Sequence, residues 1–353
     1  MAQSRVLPPN IKEATIDSFF DAVASRIGTA NVSRDHTLGA PKGPHGQPKT
    51  VAEVQFIVKE ANNFRVPLWT VSCGKNLGYG GSSPVVRGSV VLDLHRMKKI
   101  IEVNEEYAYA IVEPGVTFFD VYEEVKSRGL RLWPSVPSLG WGSTVGNTLE
   151  RGFGYTPEGE RSQSQCGMEV VLPNGELVRT EMGSMKRNKC FALFKGGLGP
   201  SVDGLFYQSN LGIVTKIGIY CTPASEAFAR CEVAVPHEED LTRLAGISTD
   251  LLRRRILTSS TGFVNIVCFV MGASEDPDIR NKIAPFVGTS AIPDRILREI
   301  QATMGWPWWV NLFSLYGPHE LVETKLSIVK RAFGEIPGAK VNVELYPGTS
   351  SRR

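Results

Sequence analysis

Two glycine-dense loops, about sixty residues apart and each following a strand-like run, constrain this chain more than any other feature of it. The first reads Ser72-Cys73-Gly74-Lys75-Asn76-Leu77-Gly78-Tyr79-Gly80-Gly81. Glycine adopts left-handed backbone that other residues resist, so four glycines in these ten residues permit a sharply bent segment. The N–H groups of such a segment can converge on one point and hold phosphate without charged side chains. Lys75 could add a point charge there. The second loop reads Pro137-Ser138-Leu139-Gly140-Trp141-Gly142-Ser143-Thr144-Val145-Gly146-Asn147, with Gly152-Phe153-Gly154-Tyr155 soon after. Two such loops suit a long, bent ligand that carries both a pyrophosphate and a flat ring. Neither is a dinucleotide fingerprint: Gly78-Tyr79-Gly80 is followed by Ser83 where the third glycine belongs, and Gly140-Trp141-Gly142 by Val145. A P-loop is excluded because no Gly-Lys-Ser/Thr triplet occurs.

The elements around the loops alternate between helix and strand. Thr50-Val51-Ala52-Glu53 has a capping-box pattern, and Val54, Ile57, Val58 and Ala61 follow at helical spacing. Strands are predicted at 67–71, 90–94, 108–112 and 213–220, with a second capped helix from Thr117 to the stop at Gly129. Glu169 to Leu172, the turn Pro173-Asn174-Gly175 and Glu176 to Arg179 form a predicted hairpin. Beyond Pro223 the pattern shifts to helices over 238–255 and 319–333, with strands near 231–235 and 263–271. The fold class is α+β, and 353 residues suggest two domains, 1–222 and 223–353.

Composition excludes more than it selects. A net charge of +3, well mixed along the chain, gives no basis for nucleic-acid binding. The run Arg253-Arg254-Arg255 ends an apolar-periodic stretch and reads as a solvated helix end. No apolar run approaches the ~20 residues of a membrane span, and the first ten residues lack a signal-peptide pattern. Six scattered cysteines without a CxxC pair argue against structural zinc and a disulfide framework; they fit a reducing compartment and a cytoplasmic protein.

From 50 to 220 the chain resembles the FAD-binding domain of the vanillyl-alcohol oxidase / p-cresol methylhydroxylase family almost continuously. The resemblance rests on Gly74 to Gly81, Gly88-Ser89-Val90-Val91-Leu92-Asp93, Val112 to Thr117 and Val136 to Asn147. It continues through Glu150 to Pro157, Cys166 to Glu176, Gly199 to Phe206 and Gln208 to Gly218. It implies a two-lobed PCMH-type FAD-binding domain followed by a partial α+β cap domain. The FAD pyrophosphate would lie on Ser72, Cys73, Gly74, Lys75, Asn76 and Leu77. Pro137, Gly140, Gly142, Ser143, Gly146 and Asn147 would pass beside the flavin ring, and Gly212, Ile213 and Val214 would approach the adenine end. Tyr79 and Tyr155 match tyrosines that line a phenol pocket and could hydrogen-bond a phenolate. The implied reaction is hydride removal from a small phenolic or aromatic-alcohol substrate onto non-covalent FAD, reoxidised by oxygen or another acceptor. Pairing through the cap leaves a homodimer open.

Four departures qualify that reading. Ser138 stands where vanillyl-alcohol oxidase has an aspartate beside the flavin, and a serine cannot serve as a base at neutral pH. Glu160 is either a substitute carboxylate or a surface glutamate paired with Arg161. Residues 35–49, with Gly39-Ala40-Pro41-Lys42-Gly43-Pro44-His45-Gly46, interrupt the expected strand before the first capped helix, so part of a small sheet is expected to be missing. His36 and His45 fall in this loop and read as solvated in preference to flavin-linking. Finally, the chain stops partway through the region resembling the cap, which predicts an open sheet edge and exposed apolar surface; Trp306, Trp308, Trp309 and Phe313 could join that surface, but read in preference as ordinary cap core. An active oxidoreductase and a weak or inactive flavin-binding subunit both remain open; a different enzyme using the loops for another nucleotide fits less well.

Overall fold

A computed structural model describes residues 7–35, 43–75, 81–197 and 199–347. The chain divides into two compact units: residues 1–154 with 158–223, and residues 155–157 with 224–353.

The first unit holds two sheets. The smaller has the order Val32–Ser33, His45–Gly46, Val90–Asp93, Leu68–Val71. His45–Gly46 and Leu68–Val71 both run parallel to Val90–Asp93, which is buried along its whole length. The sheet expected to lose a strand is therefore four-stranded. A two-residue strand has no periodicity to read, and its pairing with Val91 and Leu92 is what forms it. Helices Glu13–Ile27 and Val51–Phe64 cover this sheet with Ile16, Phe19, Phe20, Val54, Ile57 and Val58. Thr50 caps the second helix by accepting from the Glu53 N–H at 3.2 Å, and Arg65 ends it in left-handed backbone.

The larger sheet is antiparallel, in the order Ile100–Asn104, Tyr109–Val112, Ile213–Tyr220, Gln165–Val171, Leu177–Arg179. Every residue of Gln165–Val171 is buried. Its buried Glu169 is bonded by Arg179 at 2.7 Å and Lys216 at 3.2 Å, which offsets the cost of an interior carboxylate. Helix Phe118–Ser127 carries a complete capping box between Thr117 and Asp120.

The second unit is an antiparallel sheet in the order Gly262–Asn265, Trp309–Gly317, Ala227–Val235, Lys340–Pro347. Helices Leu241–Arg253 and His319–Phe333 pack on it through Leu244, Leu251, Val322, Val329 and Phe333. The predicted strand 263–271 is corrected: it ends at Asn265, whose side chain accepts from the Val267 N–H and starts helix Ile266–Gly272. An apolar run of that length carries no period that separates strand from helix. Trp308 and Phe313 are buried core residues, while Leu345 and Tyr346 are exposed on Lys340–Pro347.

Candidate functional site

The two glycine loops meet. Strand Leu68–Val71 delivers Ser72, Cys73 and Gly74, half-buried, and Lys75, exposed. Helix Thr144–Leu149 begins at Ser143, whose hydroxyl accepts from the Gly146 N–H at 3.0 Å. A side chain at Gly146 would overlap the Ser72 hydroxyl, so the first turn of this helix lies directly against the first loop. The turn 114–117 joins them from below. Cys73 Sγ donates towards the Gly115 carbonyl at 3.6 Å, and Ser143 Oγ donates to the Pro114 carbonyl at 2.6 Å. Gly115 itself packs on the His95 and Met97 carbonyls with no room for a Cβ. Burial, then Asp93 and Asp120, pushes the Cys73 thiol up to about 11, so it is a neutral packing group and not a nucleophile.

The rest of the second loop folds over helix Phe118–Ser127. The Phe119 N–H donates to the Gly140 carbonyl at 2.9 Å, and the Phe118 N–H to the Gly142 carbonyl at 3.2 Å. Gly140 presses on the Phe119 ring. Pro137 is half-buried and Ser138 is exposed. Asn76, Leu77 and Tyr79, like His36, lie outside the described residues. Tyr155 belongs to the second unit, half-exposed, its carbonyl accepting from Tyr316 at 2.8 Å.

The third predicted segment borders a cavity of about 670 Å³ within the first unit. Gly212 and Ile213 line it with Trp69 and Thr70, which lead into the first loop, and Glu150, which ends the helix of the second. Asn62, Gln208 and Asn210 add polar groups to its wall. Val214 is not in this wall; its side chain is buried in the core of the larger sheet. A concave space of this size, mixed in polarity and bordered by the residues that lead into one glycine loop and out of the helix of the other, has the character of a nucleotide site.

Sequence reasoning paired Arg161 with Glu160 at the surface, and the structure corrects this. Glu160 is exposed and accepts from Ser162 Oγ at 2.9 Å. Arg161 is 3% exposed, its Nε donating to Asn147 Oδ1 at 3.1 Å and its guanidinium 4.5 Å over the Phe118 ring. Burial pushes its pKa down to about 10, which leaves it a cation at neutral pH. The available signal was Gly152-Phe153-Gly154: bare backbone at 152 admits the Asn147 amide, and at 154 admits Ser135 Oγ and Arg161 Nη2. Among the described residues no cluster of histidine, cysteine and carboxylate side chains could hold a metal ion, and no helix is long and apolar enough to cross a membrane.

Comparison with known proteins now identifies the ligand. Residues 46–181 match the model of the FAD binding domain family. The flavoprotein subunit of 4-cresol dehydrogenase from Pseudomonas putida is 38% identical over 83% of this chain and 55% of its own length. The 1'-carboxy-chondrochloren decarboxylase of Chondromyces crocatus is 34% identical over 81% of this chain and 54% of its own. The chain thus spans about half the length of these curated relatives. A substrate-bound p-cresol methylhydroxylase structure superposes with a TM-score of 0.88 at 31% identity, covering 96% of this chain and 68% of that one. A 4-ethylphenol oxidase from Gulosibacter chungangensis gives 0.87 at 32% identity, covering 96% and 66%. The residues present fit FAD: glycine loops in contact through Gly146, and a cavity bordered by the residues that lead into the first loop and by Glu150, which ends the helix of the second. The chain belongs to the p-cresol methylhydroxylase / vanillyl-alcohol oxidase-type family of FAD-linked oxidoreductases, with a PCMH-type FAD-binding fold.

Proposed function

We propose that residues 1–222 form the FAD-binding domain, and residues 223–353 cap-domain structure, of an oxidoreductase that removes hydride from a phenolic or other aromatic-alcohol-type substrate. The observation that carries this reading is the contact of Gly146 with Ser72, which brings the two glycine loops together. The names of the relatives, 4-cresol dehydrogenase and 4-ethylphenol oxidase, supply the substrate class.

FAD bound there supplies the two-electron acceptor. The chain's own residues bind and orient. Backbone N–H groups of 72–77 take the pyrophosphate; Pro137, Gly140, Gly142, Ser143, Gly146 and Asn147 border the ring; Gly212 and Ile213 border the adenosine. Tyr79 and Tyr155 hold the phenolic oxygen, where a donated hydrogen bond favours the phenolate. Ser138 donates or accepts a hydrogen bond and takes no proton, so the proton of an aromatic alcohol must go elsewhere. We hold the flavin non-covalent; His45, one candidate for a link, lies in a strand with Nδ1 2.9 Å from the Gly43 carbonyl. Oxygen or another acceptor, a homodimeric assembly and a cytoplasmic location complete the proposal.

The position of Ser138 favours a second reading, a flavin-binding subunit of weak activity. Visible spectra of purified protein with added FAD separate the two. We expect protein-bound flavin bands that bleach without oxygen when an aromatic alcohol is added, and flavin released to the supernatant by acid. Bands that never bleach across a panel of phenols would leave only the second reading; protein with no affinity for FAD would end both.

A further inference from the structure

We propose that Glu150 reads the adenosine half of the cofactor, its carboxylate accepting a hydrogen bond from adenosine in the cavity that it lines with Trp69 and Gly212. The inference rests on the FAD reading above and goes beyond it by naming the side chain that selects FAD over shorter flavins.

The lining of this cavity suits an uncharged group that brings hydrogen-bond donors. Val58, Ala61, Leu68 and Val171, with the half-buried Trp69, give it apolar wall for a flat heterocycle. Among the described residues of the wall, Glu150 alone has an ionisable side chain, and no lysine or arginine is present. A carboxylate without a compensating cation disfavours phosphate there. The donors of the wall are already engaged. Asn62 Nδ2 donates to the Val58 and Pro173 carbonyls at 3.0 and 2.6 Å, Ser209 Oγ to the Leu205 carbonyl, and Gln208 Nε2 to the Glu150 carbonyl at 3.5 Å. No donor among the described residues reaches the Glu150 carboxylate. Its place in the chain does nothing for the fold either: Glu150 ends helix Thr144–Leu149, where exposed carbonyls favour a cation. An acceptor left open in a wall whose donors are spent fits a donor that arrives with a ligand.

Trp69 and Thr70 in the wall lead into Ser72, and Glu150 directly follows the helix that begins at Ser143. With the pyrophosphate on 72–77 and the flavin ring beside 137–147, adenosine is the half of FAD left for this space. Adenosine carries two kinds of neutral donor, the ribose hydroxyls and the exocyclic amino group of adenine. A carboxylate accepts from either, and an acid on ribose hydroxyls recurs in dinucleotide sites of another fold.

The experiment titrates wild type, Glu150→Gln and Glu150→Ala with FAD and FMN by flavin fluorescence, and with ADP, 2'-deoxy-ADP, 3'-deoxy-ADP and IDP by calorimetry. Glu150 is exposed, so both variants should fold, and thermal unfolding of the ligand-free proteins checks this. We expect Glu150→Ala to weaken FAD and ADP about tenfold, as for a lost hydrogen bond to a charged group, and Glu150→Gln to weaken them less. FMN, which lacks adenosine, should bind all three proteins alike. Wild type should prefer ADP to the analogue that lacks the donor Glu150 takes, and Glu150→Ala should lose that preference. A preference over a deoxy analogue identifies a ribose hydroxyl; one over IDP identifies the amino group. Variants that bind FAD and ADP as wild type does, that lose FMN as much as FAD, or that keep every preference of wild type overturn the inference and leave the FAD reading intact. Wild-type protein that binds no FAD removes the FAD reading itself, and the role of Glu150 with it.

Discussion

At the scale of single residues, the contact between Ser72 and Gly146 is the most exacting in the site. The obstacle to a Cβ at 146 is first the Ser72 hydroxyl and then, at 3.3 Å, the Ser72 Cβ, both on the other loop. Gly146→Ala must therefore push the second loop off the first, whereas removing the Ser72 hydroxyl beforehand relieves most of the overlap. We expect Gly146→Ala to weaken FAD binding about tenfold and S72A/G146A to recover most of the loss. That corresponds to a coupling within the range of roughly 0.5–3 kcal/mol seen for residues in contact. Losses that simply add in the double variant would show that the loops do not touch. Arg161 teaches the complementary lesson. Its immediate sequence neighbour is an acid, which invites a surface ion pair, but adjacent residues diverge as the chain bends. The chain carries Arg161 inward under Phe118 and leaves Glu160 outside.

At the scale of elements, the sequence was most legible where a local rule had no competitor. Thr50 and Thr117 open their helices as their side chains require, His319–Phe333 runs over its predicted span, and Pro173-Asn174-Gly175 turns the hairpin between Gln165–Val171 and Leu177–Arg179. It was least legible where pairing or packing decides. Helix Glu13–Ile27 starts at Lys12, which offers no capping side chain, and His45–Gly46 is a strand through its neighbour alone. In the site, the glycine loops were readable as backbone chemistry, but which side chains enclose the nucleotide depended on contacts over long sequence distances. The cap on helix Phe118–Ser127 is open to titration. Burial alone would raise the Asp120 pKa, but hydrogen bonds from the Thr117 hydroxyl and N–H, with Lys98 at 3.0 Å, outweigh it and hold the carboxyl below its ordinary 3.8. A depressed carboxyl contributes its full stability above the unfolded-state value and loses it as pH falls through the folded value. Asp120→Asn should therefore cost about 0.5–2 kcal/mol in urea denaturation at neutral pH. The gap from wild type should close on acidification below 3.8. A gap independent of pH would mean that the charge of Asp120 plays no part in the cap.

At the scale of the molecule, each unit has its own core. Ile16, Phe20, Leu92 and Met97 lie in one cluster of the first unit and Val112, Met168 and Ile217 in another, while Cys231, Leu244, Phe313 and Phe333 belong to the second. All the described residues proposed to face the nucleotide, from Ser72 to Asn147, Glu150 and Gly212, fall in the first unit. Binding of FAD then stabilises that unit directly, by about 2.7 kcal/mol at a free concentration one hundred times the dissociation constant. Hydrogen exchange on the intact chain can locate this stabilisation, because protection rises where backbone donors are engaged or local opening is suppressed. We expect added FAD to slow exchange across 72–77, 140–150 and 209–213. Strands Trp309–Gly317 and Ala227–Val235, already paired on both sides, should change little. Slowed exchange confined to the second unit, with the glycine loops unaltered, would place the flavin elsewhere and remove the basis for assigning these loops to it.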